Sequence, residues 1–310
     1  MTATIYQSTD ASAPVLTGAT GSLVALLDAC LVNGYGAKAA AGWTKSFSGT
    51  SKAAYRQGAG SAFYLRVQDD GPGAGTYKEA RAVGYETMSD VDTGTPPFPT
   101  VAQATNGVFI RKSTTADSTA RAWILAATNK VFHLFTFTGD TANVASSFTF
   151  GDVYSYKASD LYSCHISGRT TENAGFTSGE SAPILTTSYG ATVAGKWFVR
   201  SYTGVGGAVA AGGHSDYWIA AQPTMGLSGN TYPDPVDGGM RMTPLYIHEA
   251  SATRGNVPGL WNPLHNVAFG LGDTISGVGG LAGRTFQVVS VNAVTPGLLL
   301  LETSNTWTEN

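Results

Sequence analysis

Apolar and polar positions follow two different rhythms along the chain. Between Gly18 and Gly36, Leu23, Leu26, Leu27, Cys30 and Leu31 recur at three- and four-residue spacing, which is one face of a short amphipathic helix. Thr20 or Ser22 can cap its start, and Asn33-Gly34 supplies a left-handed residue to end it. From Gly42 the rhythm becomes alternation. Residues 42–47, 52–56 and 62–67 are separated by Ser-Gly-Thr and Gly-Ala-Gly, and predict successive antiparallel strands. Residues 69–75 have the composition of a turn or mobile loop, and residues 80–86 resume a strand. Residues 94–99, Gly-Thr-Pro-Pro-Phe-Pro, are expected to form a rigid connector, because proline cannot donate to a strand ladder.

Further strands are expected over 107–112 and 121–126. The second turns tightly through 127–130 into 131–137, the clearest hairpin in the chain, with His133 facing away from Phe132 and Leu134. Residues 148–152 and 161–169 continue the pattern. Residues 170–190 are rich in Gly, Ser and Thr and predict a boundary or a long surface loop. Beyond them, 197–203 and 245–248 predict strands, 204–213 and 231–239 loops, and 260–265 a compact apolar turn. Residues 286–291 and 298–302 predict a closing hairpin. The pattern therefore predicts a mainly β fold of antiparallel sheets, sandwich or barrel-like, with one short N-terminal helix. It divides into a helix plus β-rich body over 1–170 and a loop-rich second β region over 171–310.

Composition narrows the function classes. The 310 residues include 39 Gly, and only 13% are charged, against roughly 25% in an ordinary soluble domain. A surface so poor in charge is a weak barrier to association, so it points to contact with other protein. The formal net charge is -3 and no run of Lys or Arg is present, which argues against direct nucleic-acid binding. No apolar run approaches the roughly 20 residues that span a bilayer, and the first ten residues lack the pattern of a secretory signal, so no membrane insertion is expected. Cys30 and Cys164 are too few for a disulfide framework and are expected to be buried thiols.

Candidate chemistry is sparse. His214, Asp216, His248, Glu249 and His265 offer metal-ligand types without ligand spacing, so structural histidines are expected and no cofactor or metal is assigned. No Gly-x-Ser-x-Gly elbow follows a strand, and the Gly-rich stretch at 204–207 lacks a P-loop ending. Asp69/Asp70, Asp90/Asp92 and Asp234/Asp237 are the carboxylate pairs a glycosidase would need, all in segments where Asp is ordinary turn chemistry. Tyr217, Trp218 and Trp261 are the aromatics that could stack on a sugar ring or fill a subunit interface.

Residues 21–36, 40–45 and 54–57, the segment 84–94 (Gly-Tyr-Glu-Thr-Met-Ser-Asp-Val-Asp-Thr-Gly) and the segment 254–265 (Arg-Gly-Asn-Val-Pro-Gly-Leu-Trp-Asn-Pro-Leu-His) carry a likeness that covers most of the chain. It resembles a family of virion structural proteins of tailed bacteriophages, one without assigned catalytic residues. The resemblance implies a non-enzymatic particle component, assembled in the bacterial cytoplasm, whose partners are copies of itself and other virion proteins. The tail, baseplate or neck is the expected place, and the capsid surface, as a decoration protein, the alternative. A host-glycan-binding adhesin using Tyr217, Trp218 and Trp261 is the reading from another class.

Overall fold

The helix and its first neighbours show how much of the architecture is set at a distance. A computed structural model of the protein describes residues 1–70, 78–138, 146–170, 194–213, 231–265, 269–291 and 298–307. In it β1 (Thr4–Gln7) is followed by α1 (Ser22–Leu27), which continues as a wider π-helical turn over Asp28–Asn33. Leu23, Leu26, Leu27, Cys30 and Leu31 are all buried, and Gly34 at φ 77° ends the helix, as the spacing predicts. The start differs from expectation. The N-cap is Gly21 at φ 83°, and neither Thr20 nor Ser22 caps it. Ser22 instead donates back to the carbonyl of Thr17, and the Leu23 N–H goes 2.7 Å to the carboxylate of Asp69, far along the chain.

Four strands then form a meander: β2 (Thr44–Gly49), β3 (Lys52–Arg56), β4 (Tyr64–Gln68) and β5 (Lys78–Asp90). The proline-rich segment is not a connector but a strand, β6 (Thr93–Phe98), paired to the far half of β5. Proline is tolerated there because among the described residues β6 pairs with β5 alone, leaving its other edge without ladder bonds to make. The near half of β5 pairs with β7 (Val108–Ser113), and Gly84 marks the changeover. A Cβ at Gly84 would come within 2.4 Å of the Phe98 ring, so only glycine lets that ring lie flat on the strand.

A second sheet has the order β1, β8 (Ala122–Ala127), β9 (Val131–Phe137), β10 (Ser146–Asp152), β12 (Cys164–Arg169) and β13 (Ala194–Phe198), with the short β11 (Tyr154–Ser155) between β10 and β12 in sequence. The expected hairpin is β8–β9. The third sheet comprises β15 (Met242–Glu249), β16 (Ala252–Pro263), β17 (Thr274–Ser276), β18 (Thr285–Val291) and β19 (Leu298–Glu302). It is joined to the second by β14 (Val209–Gly213), which bonds to β13 on one side and β15 on the other. Two expectations change here. Residues 209–213 are strand rather than loop, and residues 260–263 end a twelve-residue strand rather than form a turn. The nineteen strands among the described residues join one antiparallel network that is not closed into a barrel.

The core explains the layering. On β9, Phe132 and Leu134 belong to a cluster with the helix, Trp43, Tyr55 and Leu65, while Val131 and Phe135 belong to a second cluster with Leu245, Leu260, Leu299 and Trp307. Period-two geometry sends neighbours to opposite faces, and here both faces are covered. The middle sheet is therefore buried almost continuously: all six residues of β12 are buried, and β8, β9 and β10 each have a single residue that is not. The second cluster draws residues from both sides of position 170. A third cluster, with Trp261, Phe286, Val288 and Leu300, covers the other face of the third sheet.

Candidate assembly surface

Arg254 lies on β16 with its side chain wholly buried, where an unpaired guanidinium would be very costly. Every one of its five N–H bonds is used. Nε and Nη2 reach the two Asp160 oxygens at 3.1 and 3.2 Å, Nη1 reaches Glu249 Oε2 at 2.7 Å and the Arg200 carbonyl at 2.6 Å, and Nη2 also reaches the Tyr162 carbonyl at 2.6 Å. The guanidinium also stacks 4.1 Å over the Phe198 ring. Burial works to raise the Asp160 pKa, but the bonds from Arg254 and Ser155 outweigh it, and the carboxyl is held below its ordinary range. Glu249 accepts the Tyr202 N–H at 2.9 Å, and Arg200 makes a two-pronged pair with Glu86 at 2.6 and 2.9 Å while lying 4.7 Å over the Tyr162 ring.

These bonds fix two loops to the strands beneath them, the one after β10 and the one after β13. Pinned loops display what they carry. Tyr156 is 53% exposed, Leu161 71%, Tyr202 43% and Val205 73%, so four of the exposed large apolar side chains ride on the segments that Arg254 holds. Lys157 Nζ donates to the Tyr202 carbonyl and ties the two loops together. Beside them a cleft of about 480 Å³ is lined by Ser61, Lys130, Asp152, Tyr156, Lys157 and Leu161. Asp152 is a buried carboxylate of that cleft, and burial raises its pKa. Its oxygens already accept from Gln57 Nε2 at 3.1 Å and the Ser61 N–H at 2.8 Å, so it holds the wall together rather than presenting a free acid.

The residues singled out from sequence are dispersed. Trp261 is 6% exposed, meets Phe286 edge-on at 5.8 Å, carries Arg284 5.8 Å from its ring centre and donates through Nε1 to Glu302 at 3.0 Å. Its ring belongs to the third cluster and has no open face for a sugar. Tyr217 and Trp218, with His214 and Asp216, lie outside the described residues. Asp69 is buried against Lys112 while Asp70 is exposed, Asp92 pairs with Lys52 and Arg66, and Asp234 and Asp237 both face Arg241. Glu249 is committed to Arg254, and His265 Nδ1 lies 2.9 Å from the Thr231 carbonyl. Among the described residues no three His, Cys, Asp or Glu side chains converge on a metal position. Cys30 and Cys164 are free and buried, and burial pushes both thiols up.

Arg254 itself was not singled out by sequence reasoning. Its neighbours Gly255, Asn256, Pro258 and Gly259 have the composition of a loop, and nothing local marks the arginine as buried in a strand. Among the described residues no helix is long and apolar enough to cross a membrane. No protein-family model matches this chain, and a comparison with curated proteins finds no match either.

Proposed function

We propose that the protein is a non-enzymatic structural subunit of a tailed-phage virion, acting by symmetric assembly with copies of itself and with other virion proteins. The observation that carries this reading is the display of Tyr156, Leu161, Tyr202 and Val205 on loops anchored by the fully bonded Arg254. Apolar groups held in place lose little further freedom when covered, so an ordered loop gains more from contact than a loose one. A low density of charge leaves few ions to desolvate at such a contact. The tail, baseplate or neck is the first placement, consistent with rings of β domains, and the capsid surface the second. A glycan-binding role would rest on Tyr217 and Trp218, since the Trp261 ring is enclosed.

The test is incorporation. Particles produced with Leu161→Asp and Val205→Asp together are expected to lose this subunit, while the purified variant melts like the parent chain. Undiminished incorporation would refute the reading. Cross-linking mass spectrometry on intact particles separates the placements, with contacts to tail tube, sheath or baseplate supporting the first and contacts to the major capsid protein the second.

A further inference from the structure

The pair Asp69 and Lys112 is buried more completely than a salt bridge requires, with both side chains at 0% exposure. We propose that it is a covalent cross-link site, at which Nζ of Lys112 condenses with the side-chain carboxyl of Asp69 to form an isopeptide bond and release one water. Lys112 Nζ donates directly to Asp69 Oδ1 and also, at 2.8 Å, to the Ala19 carbonyl. Asp69 is fixed on all sides. Its N–H donates to the Ser51 carbonyl at 2.7 Å, its carbonyl accepts from Gly21 at 2.9 Å, and Oδ2 accepts from Leu23 at 2.7 Å. Lys112 stands in β7, which is buried throughout. Amine and carboxyl are thus held together by two rigid backbones, where effective concentrations on the order of 10⁵–10⁸ M are attainable.

The chemistry balances without a co-reactant. The reaction starts from the ion pair when one Nζ proton crosses the hydrogen bond to Oδ1, which leaves an amine lone pair beside a carboxylic acid. Burial favours the same direction by raising the Asp69 pKa against the opposing pull of Lys112. The Nζ lone pair attacks Cγ, and the negative charge that gathers on Oδ2 meets the Leu23 N–H. A second Nζ proton passes to the Oδ1 hydroxyl, the Cγ–Oδ1 bond breaks, and water leaves as the amide forms. No third carboxylate bonds to the pair among the described residues, so the two groups exchange protons between themselves. That makes the reaction a slow maturation step rather than an instant one. The product fastens the end of β4 and the start of the helix to β7 and removes two ions from the core.

Mass spectrometry of the denatured, purified chain tests this without reference to assembly. After prolonged incubation at the host growth temperature, the chain is expected to be lighter than its sequence mass by one water, with a branched proteolytic peptide joining residues 69 and 112. Lys112→Met is expected to restore the full mass. A succinimide at Asp70-Gly71 loses the same mass but leaves the two peptides separate, so a mass loss with unbranched peptides overturns the proposal. Full sequence mass in the incubated parent chain, the outcome for a lasting ion pair, overturns it equally.

Discussion

His133 Nε2 lies 2.8 Å from the main-chain carbonyl of Pro258, a hydrogen bond that crosses from the middle sheet to the third. A carbonyl only accepts, so Nε2 carries the proton, and in the neutral ring Nδ1 is left to accept from the Thr149 hydroxyl at 2.9 Å. Burial pushes the pKa of His133 down to about 3 and that of His165 down to about 4. Both rings stay neutral in the fold when the unfolded chain takes up protons near pH 6.5. Stability carried by these groups is therefore complete above about pH 6.5 and is lost as pH falls towards the folded-state values. At pH 5 each ring costs about 2 kcal/mol. Buried carboxyls with raised pKa, Asp152 among them, act in the opposite sense, so the clean measurement is a difference. Urea unfolding from pH 7 to pH 5 is expected to show a shallower loss for His133→Gln than for the parent chain, and identical slopes would refute the assignment.

Arg254 answers two buried carboxylates at once, so removing it leaves Asp160 and Glu249 without their cation. Arg254→Met is expected to destabilise the fold by about 3–5 kcal/mol. Arg254→Lys should recover only part of that, since three ammonium hydrogens cannot replace a five-donor planar fork. Denaturant midpoints measure the loss, and limited proteolysis should cut first near Tyr156 and Leu161, on the loop that Arg254 no longer holds.

Two glycines with similar backbones separate conformational cost from packing cost. Gly206 at φ 84° has nothing within 4 Å of a built Cβ, whereas Gly259 at φ 72° would place its Cβ 2.5 Å from the Trp307 ring. Gly206→Ala is expected to cost about 1–2 kcal/mol, the left-handed penalty alone. Gly259→Ala should cost clearly more, because the ring is buried in the second cluster and has no room to retreat. Equal shifts in unfolding free energy would show that the ring yields.

Trp261 distinguishes a packing role from a binding one. Trp261→Ala is expected to lose about 3–5 kcal/mol of stability, as for other large buried side chains. A variant that melted like the parent would mean that the ring is not part of the core at all.

The β8–β9 hairpin was legible because strong β-formers flank a short turn, and so was the helical stripe, whose spacing is a local property. What lay beyond local reading depended on partners far along the chain. The carboxylate that receives the Leu23 N–H is 46 residues away, at a position whose neighbours Asp70 and Gly71 suggest only a turn. The prolines of β6 forbid a central strand but not an edge, and only the pairing partner decides between them. Trp261 shows the same limit, since an aromatic beside Pro and Asn suits an exposed turn until Phe286 and Glu302 close over it. Arg254 gives no local hint of Asp160, 94 residues earlier.

The position of β1 bears on how the chain reaches this state. One edge of β1 pairs with β8, Thr4 opposite Ala127, and just before it Ala3 donates 2.9 Å to the Asn305 carbonyl while Trp307 donates 2.9 Å to that of Met1. Contacts so distant in sequence are slow to find, because a long loop must close before any of them is rewarded. During synthesis this strand waits unpaired until residue 127 has emerged, and its flank waits until residue 307. Throughout that interval Ile5 and Tyr6 offer an open edge to any neighbouring nascent chain, which makes crowded translation the stage at which misassembly competes most strongly with folding.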